Sequence, residues 1–247
     1  MQFWSLKTAG RKTAELKPSV SDYVSYESVR ELQLKLVDQR AQDQIPDTIL
    51  FLEHEPVVTR GRGLQFTGEP RPQHMPMLAL PPEISFADSE RGGDLTYHGP
   101  GQLVIYPICK LDGKGATPHH DVTAFLRWIE KILIAELDER FLKLGAQCEG
   151  IENATGVWVR GKKIASMGIA VRKWVTYHGL SLNCVNDLRP YQLISPCGFS
   201  PDVMTRVQDF VELDPHTWRA SFEQSLARRF SGERESQVET QILDSIV

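Results

Sequence analysis

A cysteine held between proline and glycine is the residue of this chain whose surroundings most suggest covalent chemistry. Cys197 lies in Ile194-Ser-Pro-Cys-Gly-Phe199, which reads as a rigid, open turn rather than regular structure. A thiol in such a turn can act as a nucleophile once it ionises. The other cysteines have blander settings. Cys109 ends a strand pattern, Cys184 follows an alternating strand, and Cys148 lies in a loop, so packing or surface roles suffice for them. A lone cysteine in a turn does not by itself define an active site.

Two further segments concentrate unusual residue types. Arg91-Gly-Gly-Asp-Leu-Thr-Tyr-His-Gly-Pro-Gly-Gln102 holds four glycines and a proline. Such a stretch turns tightly and lets backbone approach a ligand. A hairpin with glycine bends is the competing reading, but it leaves the crowding of Arg91, Thr96, Tyr97 and His98 unexplained. The other is Gly161-Lys-Lys-Ile-Ala-Ser-Met-Gly168, with Tyr177-His-Gly-Leu-Ser-Leu182 downstream. Ala165, Ser166 and Gly168 are small, and small side chains on a strand leave room for something to lie against it. Lys162 reads as a solvated turn residue, and pattern alone leaves Lys163 open. His98 and His178 suit a hydrogen-bonded core as well as a ligand contact. The seven histidines show no metal-ligand spacing, so no metal is expected. No other cofactor is expected either.

These segments must be positioned by the elements between them. Helical spacing of Val29, Leu32, Leu36 and Val37 predicts a helix over about 21–40. Residues 47–53 and 57–59 read as strands, 64–86 as a proline-rich loop, and 103–108 as another strand. Asp121 is placed to cap a helix running to about Leu142, and Asp214 to cap a last one bearing Trp218, Phe222, Leu226 and Phe230. Between them, 156–159, 164–171 and 175–184 form a meander of strands. The expected architecture is an α/β domain of the α+β type, a mostly antiparallel sheet with packed helices. One domain is expected over 1–232, followed by a polar, frayed tail over 233–247.

The bulk properties narrow the function. A formal net charge of -4 argues against a general nucleic-acid partner. No apolar run reaches membrane-spanning length, which argues against a membrane partner. Four cysteines without a CxxC pair fit a reducing compartment, and a cytoplasmic protein is expected.

Taken together, the motifs resemble the lipoyl(octanoyl) transferase family over about 22–199. The carrying segments are 45–56, RGGDLTYHGPGQLVIYPI at 91–108, GVWVRGKKIASMGIAV at 156–171, WVTYHGLSLNCVNDL at 174–188 and ISPCGF at 194–199. The resemblance implies the fold of the catalytic domains of lipoate and biotin protein ligases. It also implies transfer of an octanoyl group from octanoyl-acyl carrier protein to a lysine of a lipoyl domain. The acceptors would be the 2-oxoacid dehydrogenases and the glycine cleavage H protein. By motif match, Cys197 carries the acyl group and Lys163 activates it. Substrate contacts would fall on Arg91, Gly92, Gly93, Asp94, Leu95, Thr96, Tyr97 and His98, on Ser166, Met167 and Gly168, and on Gly179, Leu180 and Ser181. Two rival readings remain: an ATP-dependent lipoate ligase, which would use a glycine loop such as Arg60-Gly-Arg-Gly63, and a non-catalytic binder of lipoyl domains.

Overall fold

The computed structural model describes residues 1–7, 23–65, 80–114, 117–140, 146–147, 155–194, 200–214, 216–233 and 236–243. The described strands are β1 (Gln2–Lys7), β2 (Thr48–Leu52), β3 (Val57–Arg60), β4 (Ser85–Asp88), β5 (Leu95–His98), β6 (Gln102–Ile108), β7 (Ala146–Gln147), β8 (Gly156–Val159), β9 (Lys162–Arg172), β10 (Val175–Asn183) and β11 (Glu239–Ile242). The helices are α1 (Tyr26–Ala41), the single turn α2 (Arg62–Gln65), α3 (Val122–Arg140) and α4 (Trp218–Ser231).

An 8-stranded sheet runs β11-β1-β2-β6-β10-β9-β8-β7, and a 3-stranded sheet runs β4-β3-β5. From β2 onward every pairing of the large sheet is antiparallel, while β1 pairs in parallel with both β2 and β11. The mostly antiparallel expectation therefore holds.

Alternation along the strands feeds two cores. Phe51, Ile105 and Leu182 meet Phe125, Ile129 and Leu133 of α3 and Phe222 and Leu226 of α4. Leu50, Leu52, Val104 and Tyr106 meet Val29, Leu32 and Leu36 of α1 on the other face. Each fully buried large apolar side chain contributes roughly 2 kcal/mol relative to exposure. A third cluster seats the small sheet: Val58, Leu95 and Tyr97 pack on Tyr191, Ile194 and Met204.

Two expectations need correction. The first helix starts at Tyr26 because Ser25 caps it, its hydroxyl accepting the Ser28 N–H at 3.2 Å. The segment beyond Gly232 is not simply frayed. Glu239–Ile242 joins the edge of the sheet beside β1, where Leu243 is buried. Backbone hydrogen bonds do not depend on side-chain polarity, so a polar segment can still take an open sheet edge. The expected cap at Asp121 is present, its carboxylate accepting the Ala124 N–H at 2.8 Å. Asp214 accepts the His216 and Thr217 N–H groups ahead of α4. Of the expected 64–86 loop, Ser85 and Phe86 belong to β4, and 66–79 lie outside the described residues.

Candidate active site

The loop 91–94 is stapled to the small sheet by Arg91. Its guanidinium donates to the Thr59 carbonyl at 2.7 Å, the Thr59 hydroxyl at 2.9 Å and the Asp94 carbonyl at 2.8 Å. The same loop accepts N–H bonds from Gly61, Arg62 and Gly63 on the carbonyls of Asp94, Arg91 and Gly93. Those donors are spent inside the protein, so the Arg60–Gly63 segment does not present them to a phosphate. On its other side the loop rests on β9, where the Gly92 N–H donates to the Ile169 carbonyl at 3.0 Å. A side chain at Gly168 would meet the Gly92 carbonyl oxygen at 2.6 Å, so this contact requires glycine.

Between the loop, α1 and the large sheet lies a narrow cleft. Arg91, Thr96, His98, Ser166, Met167, Gly168, Gly179, Leu180 and Ser181 all line it. Ser166 pairs with Ser181 and Gly168 with Gly179, so the wall between β9 and β10 is built from small residues. Gly92, Gly93, Asp94, Leu95 and Tyr97 do not line the cleft. For Leu95 and Tyr97 the reason is strand alternation: they turn into the third cluster while Thr96 and His98 face the cleft.

Lys163 reaches the same face through a β-bulge. Val157 pairs with Ala165, but the next residue, Trp158, pairs with Lys163, leaving Ile164 extra on β9. Ile164 and Ala165 both enter the α3/α4 core. The bulge reverses the alternation and delivers Lys163 to the side of Ser166. A Cβ on Gly156, which pairs with Ser166, would lie 2.8 Å from Lys163 Cε and 3.4 Å from Nζ. The ammonium therefore passes over the gap left by that glycine. Lys163 is only 3% exposed. Its backbone is also a rail for the chain beyond Cys197. Met204 bridges to Lys163, and the Thr205 N–H donates to the Lys163 carbonyl at 3.0 Å. Cys197 itself, like Cys148, lies outside the described residues. Cys109 and Cys184 are fully buried, and burial pushes the Cys109 thiol well above its ordinary value, as packing roles require.

The residues that sequence reasoning missed lie at the end of the cleft away from Lys163. Tyr26 of α1 and Tyr106 of β6 line it beside His178. His54 stands behind them, its Nε2 within 2.9 Å of the Tyr106 hydroxyl and its Nδ1 within 3.0 Å of the Val24 carbonyl. His178 has a left-handed backbone, φ 57°, which breaks the alternation of β10. On the β6–β10 register His178 falls opposite Pro107, which has no N–H for the His178 carbonyl to accept. The His178 N–H donates to the Gln33 side-chain oxygen of α1 at 2.6 Å. Its ring then stacks on Tyr26, and Nε2 meets Glu90 at 3.2 Å, with Glu90 held by Arg30. No spacing in the sequence could have joined these five stretches of chain.

Burial holds this cluster uncharged. It pushes the His54 imidazole down to about 4 and His98 well below 6.5, and it lowers His178 against the opposing pull of Glu90. The hydrogen bond to His178 and the pair with Arg30 hold the Glu90 carboxyl below its usual range, so Glu90 is ionised and accepts from a neutral imidazole. These shifts fix a pH dependence. All three histidines are depressed in the folded state, so the stability they confer is complete above about pH 6.5 and is lost as pH falls through the folded values. For His54 alone, 6.5 against about 4 corresponds to roughly 3 kcal/mol. Urea unfolding at about pH 7 and about pH 5 should show a clear loss at the lower pH. Equal midpoints would mean that the folded cluster accepts protons freely.

The fold is shared with known proteins. A bipartite lipoate protein ligase from Thermoplasma acidophilum, studied with its E2 lipoyl domain, superimposes with a TM-score of 0.57 at 16% identity, covering 100% of this chain and 90% of that one. Closer in sequence is an octanoyltransferase from Syntrophobacter fumaroxidans, 38% identical over 194 residues, 77% of this chain and 79% of that protein. An octanoyltransferase from Coxiella burnetii is 42% identical over 172 residues, 70% of this chain and 64% of its own length. The family described as the lipoyl protein ligase A/B catalytic domain matches residues 25–231, and the chain belongs to it.

Proposed function

We propose that this enzyme is an acyltransferase of protein lipoylation that moves an octanoyl group from the thioester of acyl carrier protein to a lysine of a lipoyl domain, by way of a thioester on Cys197. The observation that carries this reading is the placement of Lys163, buried on the cleft face beside a wall of small residues and laddered to the segment that follows Cys197. The relatives named octanoyltransferase support the reaction class. Lipoyl domains are the acceptors, those of 2-oxoacid dehydrogenases and the glycine cleavage H protein among them.

The proposed chemistry balances without ATP, because exchanging one thioester for another is nearly isoenergetic. An ammonium on Lys163 favours the Cys197 thiolate. The thiolate attacks the acyl carbonyl, and the carrier's thiol leaves with a proton from Lys163. The neutral Lys163 amine then takes the proton of the acceptor amine as that nitrogen attacks the Cys197 thioester. Collapse expels the thiolate and restores the ion pair. The acyl chain lies along the strip from Ser166 and Ser181 to Gly168 and Gly179, with Thr96 and His98 across it.

The test uses octanoyl-acyl carrier protein, a lipoyl domain and no nucleotide. An octanoyl amide on the lipoyl domain, with free carrier thiol in equal amount, is the expected product. Transfer that needs ATP and ignores the thioester would overturn the reading in favour of a ligase.

A further inference from the structure

Lys163 presents a physical problem of its own. An ammonium that is only 3% exposed has lost most of its hydration, and desolvation favours the neutral amine. Activation of a thiol needs the charged form. Something at this position must favour the cation and hold its flexible stem.

Trp158 has the geometry to do both. It pairs directly with Lys163 across the β8–β9 ladder, immediately after the bulge. Its ring centroid is 5.7 Å from Lys163 Nζ, and the indole is itself buried. A desolvated ammonium over an indole face is the strongest form of the cation–π contact. Two residues earlier on the same strand face, Gly156 leaves the gap through which the lysine stem runs. Gly156, Trp158 and Lys163 thus form one seat.

Several charged groups on the surrounding described elements have partners of their own. Arg206 pairs with Asp209 at 3.0 Å on the segment that ladders to Lys163. Behind β8, Glu130 pairs with Arg127 and accepts the Gly156 N–H. On the β8–β9 turn, Lys162 Nζ donates to the Asp202 carbonyl, and the Arg160 guanidinium lies over the Phe210 ring.

We infer that Trp158 is a positioning residue for the transfer reaction: its indole face, with the gap at Gly156, keeps Lys163 in one conformation and in its charged form. The inference rests on Lys163 being the group that activates Cys197. It adds a determinant of that activation on a neighbouring strand, with no contact to substrate required.

The measurement is the rate of Cys197 alkylation by iodoacetamide against pH, read on the Cys197 peptide, in wild type, Lys163→Ala, Trp158→Leu and Trp158→Phe. Lys163→Ala should move the midpoint upward. Trp158→Leu should move it in the same direction, lowering the rate near pH 7 by about tenfold, and Trp158→Phe, which keeps a ring face, should stay near wild type. A residue that only fills space would give a Leu variant with unaltered pH dependence. Should Trp158→Leu fail to fold, fluorinated tryptophan at all five tryptophan positions weakens the ring face while keeping its shape, and it too should raise the midpoint. A wild-type midpoint in the Leu and fluorinated proteins, with Lys163→Ala shifted, overturns the role of Trp158 alone. An unshifted Lys163→Ala overturns the activation itself and the inference with it.

Discussion

Cys197→Ser is expected to lower kcat/KM for octanoyl transfer by at least about a thousandfold, because a hydroxyl is almost wholly protonated where a paired thiol is ionised. The choice among four cysteines has independent grounds. Cys109 and Cys184 are buried in the α3/α4 core, and neither can meet a carrier-bound thioester without opening it. Cys148 lies outside the described residues, as Cys197 does, but Cys197 alone stands between proline and glycine, and the chain beyond it bridges to Lys163 at Met204. Incubation with octanoyl donor and no acceptor should give one acyl adduct on the Cys197 peptide, removable by hydroxylamine. An adduct on Cys148, or full turnover by the serine variant, would refute the assignment.

Lys163→Ala should cost the second largest amount, about a hundredfold in kcat/KM, which is the ordinary yield of a positioned acid–base group. Two effects combine. The thiol loses the neighbouring ammonium, so its ionisation moves to higher pH. The acceptor amine also loses the group proposed to take its proton, so part of the loss should persist at a pH where the thiol is fully ionised. Rate against pH separates the two. If high pH restores wild-type turnover, Lys163 acts on the thiol alone. The natural control is Lys162→Ala, for Lys162 precedes the bulge, is exposed, and donates to the Asp202 carbonyl. Its alkylation profile should match wild type. A shift as large as that of Lys163→Ala would mean that general surface charge, rather than the aimed ammonium, sets the thiol.

The behaviour of Gly168 qualifies how the cleft can be engineered. As a small residue on a strand it invites enlargement, yet the Gly92 carbonyl stands 2.6 Å from where its Cβ would be. Enlarging it would displace the 91–94 loop before it narrowed the cleft. Ser166, whose pairing partner Ser181 also lines the cleft, is the position at which bulk alters the cleft without that conflict.

The amino-acid sequence by itself determined what depends on near neighbours. The three-strand meander at 156–183 follows from alternation around two tight turns, and the start of α3 from an aspartate ahead of an amphipathic run. Glycines at 92, 101, 168 and 179 marked places where backbone comes close, and each has backbone or a turn beside it. The small-residue wall and the pairing of Thr96 with His98 on one strand face were within reach of the same periodicity. What only the tertiary structure decided depends on partners far apart in the chain. Tyr26, His54, Tyr106 and Glu90 carry no local mark; Tyr26, Tyr106 and Glu90 meet His178, and His54 backs Tyr106, because α1 and four separate stretches of chain converge on one face. The turn of His178 into the cleft goes with a left-handed backbone whose N–H donates to Gln33 on a helix far away in the chain. The side of the sheet to which Lys163 points was likewise hidden. Alternation read along 162–172 would send it with Ala165 into the core, and a single unpaired residue at Ile164 reverses that. A bulge is a property of two paired strands, so it has no signature in one of them alone.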